Sequence, residues 1–276
     1  MNVYGIDFTS TPSRRKPITC RHCRLEGDVL RVLSASAWPA FEQFEAALAR
    51  PGPWIAGIDF PFGMPRRFVA GTGWPVEWPD YVRHAEALGK EGFEAALNAY
   101  RKRQRVGQKE HRRRTDVLAG SLSPQKLYGT PVGKMFFQGA PRLQQAGVAV
   151  PGLQQGDRLR VVVEAYPGVL ARSVTKAGYK HDRAKKQTIA QRDARHGILR
   201  ALTSGRLAAR YGVTVAGDDP ELVDDPTGDT LDALLCAVQA AWAWRNRARL
   251  FGNPRIDRFE GWIADPCGVP GSEPGP

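Results

Sequence analysis

The chain has 276 residues, 42% hydrophobic and 25% charged, a globular composition that excludes a disordered or fibrous protein. Its 40 Lys and Arg against 28 Asp and Glu leave a formal net charge of +12, which suits polyanion partners such as nucleic acid or phosphates. The opening residues show no basic-then-apolar secretory pattern. The longest mostly apolar stretch, Leu231 to Trp244, is short for a span and carries Asp232 and Gln239, so a soluble, cytoplasmic protein without membrane contact is expected.

The first predicted element is the apolar strand 3–8, which carries Asp7 near its end. Strands at about 18–25 and 28–34 follow, joined by the tight turn Glu26-Gly27-Asp28, and Arg14, Arg15 and Lys16 lie in the loop beyond the first strand. Cys20 and Cys23 have the spacing of a zinc half-site, but no second ligand pair accompanies them, so they read as reduced thiols. Ser36 is the expected N-cap of a helix from about Pro39 to Ala49, and Pro51-Gly52-Pro53 stops it. The strand 54–60 repeats the tetrapeptide Gly-Ile-Asp-Phe of residues 5–8 at Gly57-Ile58-Asp59-Phe60.

From residue 61 to about 155 the texture changes, and the segment reads as a basic helical and loop insertion with too few regularly spaced apolar residues for a core of its own. A helical pattern with Phe93, Ala96, Leu97 and Tyr100 runs into a charge run, and Ser123 to Leu143 reads as irregular loop. The basic residues Arg101, Lys102, Arg103, Arg105, Arg112, Arg113 and Arg114, with Lys126 and Arg142, are the candidate nucleic-acid contacts. A strand at 159–165 carries Glu164 near its end, a helix is expected at about 183–203, and the last strong helix spans about 229–248. The tail from residue 266 to 276 is expected to be disordered.

In the last helix Leu231, Leu234, Leu235, Val238 and Trp242 share one stripe, with Asp232 at its border and Asp229 one turn before. Asp229, following Gly228, also suits an N-cap. Acids at the tips of buried strands are costly unless paired, hydrogen-bonded or on a metal. Asp7, Asp59, Glu164 and Asp232 are therefore the candidate catalytic residues, and the same four with Asp229 the candidate metal ligands. Hard oxygen ligands without His or Cys favour Mg²⁺ or Mn²⁺. Two ions shared by such acids suit in-line attack of water on a phosphodiester.

Three strands, a helix, a strand, a further strand and an acidic helix resemble the ribonuclease H-like fold, an α/β class with a mixed sheet flanked by helices. Gly5-Ile6-Asp7, the stretch Ile58 to Pro65, Glu164-Ala165-Tyr166-Pro167, Asp229-Thr230-Leu231-Asp232-Ala233 and the closing Glu260-Gly261-Trp262-Ile263 resemble the motifs of the DUF429 family of predicted nucleases in that superfamily. The resemblance covers about residues 3–265 and implies one domain over residues 1–265. It implies that Asp7 is the acid of the first strand and that Asp229 and Asp232 match the paired acids seen in Holliday-junction-resolvase relatives. A metal-dependent nuclease acting on DNA or RNA is thus the leading expectation. The alternatives are a sugar- or acid-kinase-like phosphotransferase, which also opens with a Gly-x-Asp strand, and a non-catalytic nucleic-acid-binding protein whose acids only cap and hydrogen-bond.

Overall fold

The computed structural model describes residues 1–217 and 219–268; most of the tail expected to be disordered thus lies outside the described residues. Strands β1 (Asn2–Asp7), β2 (Ile18–Glu26) and β3 (Val29–Trp38) form an antiparallel meander. Helix α1 (Phe41–Leu48) leads to β4 (Trp54–Ile58), which lies parallel to β1. Five helices follow: α2 (Arg66–Thr72), α3 (Trp78–Ala87), α4 (Gly89–Arg103), α5 (Arg114–Ala119) and α6 (Val132–Ala146). The short β5 (Val148–Ala149) and β6 (Asp157–Glu164) extend the sheet beyond β4. Helices α7 (Pro167–Val174), α8 (Ile189–Thr203) and α9 (Ala208–Tyr211) precede β7 (Thr214–Ala216), which closes the other edge against β3. Helices α10 (Glu221–Asp224), α11 (Asp229–Arg245) and α12 (Arg247–Leu250) complete the regular elements. The seven strands run in the order β5-β6-β4-β1-β2-β3-β7, a mixed sheet with helices on both faces.

Strand alternation sorts the apolar residues onto two faces. Val3, Ile55, Val161 and Val163 join Leu231, Leu234, Leu235 and Val238 under α11, while Ile6, Ile58 and Val162 face the helices of the 61–155 segment. That segment brings Phe62, Met64, Phe68, Trp78, Tyr81, Phe93 and Phe136 into the second cluster. Its apolar residues, too irregular in sequence to suggest a core, are thus used to cover one face of the sheet. The expected loop from Ser123 to Leu143 is half helix, because α6 begins at Val132. Ser36 lies in β3, and it is the backbone N–H of Ala40 that meets the Gln43 side chain at the start of α1.

Helix α11 is buried all round from Asp229 to Ala243, not along one stripe, because the sheet lies on one side and α7, α9 and α10 on others. Its approach to the sheet is unusually close, and two glycines allow it. A Cβ at Gly5 would lie 1.8 Å from the Ala233 carbonyl oxygen, and one at Gly57 would lie 2.3 Å from that of Cys236. Gly5 and Gly57 are register partners in β1 and β4, as are Ile6 and Ile58. The repeated tetrapeptide therefore lies side by side in the sheet, and each glycine sits two residues before an acid.

Adding a methyl group where backbone stands this close forces the helix off the sheet. Gly5→Ala is expected to cost about 3 kcal/mol or more in urea unfolding, at or beyond the usual overpacking range. Gly197→Ala in α8, where a Cβ meets nothing within 4 Å, should instead be neutral or stabilising by up to about 1 kcal/mol.

Candidate functional site

Because Asp7 and Asp59 each follow a glycine by two residues, alternation turns both toward the α11 face. There they meet the first turn of α11. Gly228, at φ 74°, holds the capping position, and the carboxylate of Asp225 accepts the Thr230 N–H at 3.0 Å. Capping is thus the work of Asp225, and Asp229 is not the N-cap. Asp229 and Asp232 stand one turn apart, both buried. Burial, and the charges of Asp229, Asp232 and Asp59, hold Asp7 well above the ordinary carboxyl range against the pull of Lys180. Burial and the neighbouring Asp232 push Asp59 up to about 7.

Two of these acids are compensated by lysines. Lys180 Nζ donates to Asp232 Oδ2, and the Tyr179 hydroxyl donates to Asp232 Oδ1 at 2.6 Å. Lys16 Nζ bridges Asp229 Oδ2 at 3.0 Å and Asp182 at 3.1 Å. The other two are not: among the described residues no protein group donates a hydrogen bond to the carboxylate of Asp7 or Asp59. As the side chains stand, no group of three or more His, Cys, Asp or Glu among the described residues is arranged to hold a metal ion. Mg²⁺ does not require one, since it keeps several waters and is commonly bound through one or two carboxylates. Two orphaned, mutually repelling hard-oxygen donors side by side fit such an ion, and Asp7 and Asp59 are the residues that would hold it.

Glu164 departs from the expected ligand set, and strand parity explains why. It is the register partner of Ile58, not of Asp59, so it points to the opposite face, where Ile6 and Ile58 pack. A shift of one residue exchanges faces. There Arg113 Nη1 donates to Glu164 Oε2 at 2.8 Å and Nη2 to Oε1 at 2.5 Å, and the Phe62 N–H adds 2.9 Å to Oε2. The same guanidinium meets both oxygens of Asp116, at 2.7 and 2.9 Å, and the Glu260 carbonyl at 3.0 Å. All three charged groups are buried. Removing one partner from such a network typically costs about 3–5 kcal/mol, so its role is to fix the 61–155 segment to the end of β6.

Arg113 is therefore corrected from a nucleic-acid contact to a buried clamp. Arg101 pairs with Glu110 at 3.3 Å and lies over the Tyr128 ring, and Lys126 also lies over that ring at 5.0 Å. Arg142 is committed to Glu45 at 2.9 Å and to the Phe41 ring, which joins α6 to α1. Lys102, Arg103, Arg105, Arg112 and Arg114 keep exposed side chains. Lys102 and Arg103 also close the last turn of α4, where positive charge complements the helix dipole.

Asp59, Glu164 and Asp232 share the wall of a cavity of about 340 Å³ with Arg113, Arg172, Tyr166, Tyr179 and Lys180. Lys180, Tyr179 and Arg172 were not singled out from the sequence. The only signal for the first two is a Tyr-Lys pair in an irregular basic stretch, which spacing alone does not connect to α11, and Arg172 lies in α7. The closing motif ties neighbouring segments together: Glu260 accepts the N–H groups of Arg66 at 2.7 Å and Arg114 at 3.1 Å, and Ile263, at the cavity wall, bridges to Glu164. All four cysteines are free, with Cys20 and Cys23 on opposite faces of β2. No helix among the described residues is long and apolar enough to cross a membrane.

A family model described as "Protein of unknown function (DUF429)" matches residues 5–256, and the chain belongs to that family. No curated protein and no solved structure matches it.

The raised pKa of Asp59 has a sign that can be checked. A carboxyl whose pKa is higher folded than unfolded contributes stability that is fully present below the unfolded value and is lost as pH rises through the folded one. The metal-free protein should therefore lose stability from this group between about pH 4 and about 7. Asp59→Asn should flatten that part of the pH profile of the melting temperature and raise it at pH 8. An unchanged slope would show that Asp59 ionises freely in the fold.

Proposed function

We propose that this DUF429 protein is a metal-dependent nuclease of ribonuclease H-like fold that hydrolyses phosphodiester bonds of DNA or RNA, with Mg²⁺ or Mn²⁺ held by Asp7 and Asp59. The observation that carries the reading is the pair of unpartnered carboxylates set side by side by the twin Gly-x-Asp strand ends. A protein using its acids only for capping and hydrogen bonding would have partnered them, as Asp225 and Asp116 are partnered. The fold assignment is supported by strand order: an antiparallel β1-β2-β3 meander, parallel β4 and β6 added beyond β1, and an acidic helix laid over β1.

A divalent ion in this place supplies a more acidic water and positive charge for the phosphoryl oxygens. The chain's own groups do the rest. Asp7 and Asp59 bind and orient. Asp232, fixed by Tyr179 and Lys180, keeps a third carboxylate beside them. Arg172 and Lys180 present cations along the cavity wall toward a phosphate, and apolar Leu122, Val132 and Met135 line its other parts. The exposed Lys102, Arg103, Arg105, Arg112 and Arg114 offer a polyanion a path toward α5, whose Asp116 stands at the cavity.

Cleavage of a panel of single-stranded, duplex and branched DNA and RNA in Mg²⁺ or Mn²⁺ tests this. Loss of groups that merely support metal ligands costs 10–100-fold, so Asp7→Asn should lose more than about 100-fold in rate. Equal cleavage by wild type and Asp7→Asn would assign the activity to a contaminant and remove the reading.

A further inference from the structure

We propose that the Lys180 ammonium is a built-in cation of the acid cluster, so that the site takes one divalent ion, on Asp7 and Asp59, and not two. The inference rests on the carboxylate-held ion proposed above and narrows it.

Both oxygens of Asp232 are occupied from consecutive residues, Tyr179 and Lys180. The ammonium also acts electrostatically on Asp7 and Asp59, and its side chain is 38% exposed at the cavity that Asp59 and Asp232 line. The seat for this lysine is built into the neighbouring turn. A Cβ at Gly228 would lie 2.8 Å from Lys180 Cβ and 3.0 Å from its Cδ, so the stem passes where only glycine leaves room. That glycine also has the positive φ of 74° that starts α11 and delivers Asp229 and Asp232. Asp229 has a lysine of its own in Lys16, which approaches from the loop after β1.

Charge balance then sets the number of ions. Asp7, Asp59, Asp229 and Asp232 carry four negative charges when ionised, and Lys16 and Lys180 carry two positive ones; Asp182, the second partner of Lys16, is 74% exposed and screened by solvent. The remainder is what a single divalent ion neutralises. A second divalent ion would have to displace Lys180 from Asp232 or stand beside it uncompensated, at a cost in like-charge repulsion. Lys180 thus occupies the oxygen of Asp232 that a second ion would need, and it opens to the cavity that Asp59 and Asp232 line.

Ion counting on the full chain separates these cases. Calorimetric titration with Mn²⁺ should give one ion per chain in wild type. Lys180→Met frees Asp232 Oδ2 and should bind two, whereas Lys180→Arg keeps the charge and should bind one. If Lys180→Met does not fold in the presence of Mn²⁺, wild type and Lys180→Arg decide: one ion in each supports the inference. Two ions in wild type overturn it, and so does one ion of equal affinity in wild type and folded Lys180→Met; both outcomes leave the carboxylate-held ion standing. No ion in wild type overturns that reading as well.

Discussion

The contact on which the rest depends is the seating of α11 on the two glycines of β1 and β4. Gly5 and Gly57 are level with one another across a parallel pair, and no side chain separates the helix backbone from the sheet at either place. Because side chains alternate along a strand, a glycine that opens the face for the helix commits the residue two places on to the same face. That residue is an aspartate in both strands. The requirement for close packing and the placement of Asp7 and Asp59 are thus one constraint. It also explains why a tetrapeptide recurs in a chain without internal repeats.

Close seating concentrates negative charge in a place poor in water, and the protein divides the compensation among different partners. Glu164 and Asp116 share one fully engaged arginine on the far face, which welds the added helices to the end of β6. Asp229 and Asp232 are met by Lys16, from the loop after β1, and by Lys180, from the stretch that borders the cavity. Asp7 and Asp59 are left. In the first group charge is spent on holding the fold; in the last it remains available to a ligand. A buried pair of like charges is unfavourable without a proton or a cation, and burial raises the pKa of both.

Much of this was legible in the chain. The apolar runs gave β1, β4 and β6, and the charge on an otherwise apolar helix drew attention to Asp229 and Asp232. The misreadings have specific causes. Glu164 ends an apolar run as Asp7 and Asp59 do, but which face a strand residue occupies depends on register, and register with β4 is a tertiary property. Arg113 lies in a run of arginines indistinguishable by composition, and only the fold of α5 turns one of them inward. The 61–155 segment divides its apolar residues among five helices; α4 shows a periodic face, at Phe93, Ala96, Leu97 and Tyr100, but the core that the five build together is not visible in any one window. Lys180 lies in an irregular stretch, and its meaning comes wholly from where α11 begins.

The central claim, that the carboxylates of Asp7 and Asp59 are left without hydrogen-bonding partners to receive a divalent ion, is tested most directly by anomalous scattering from crystals grown with Mn²⁺. The account predicts a peak within coordination distance of a carboxylate oxygen of both Asp7 and Asp59. Ordered Mn²⁺ held elsewhere, with these two carboxylates hydrogen-bonded to protein groups, would contradict it.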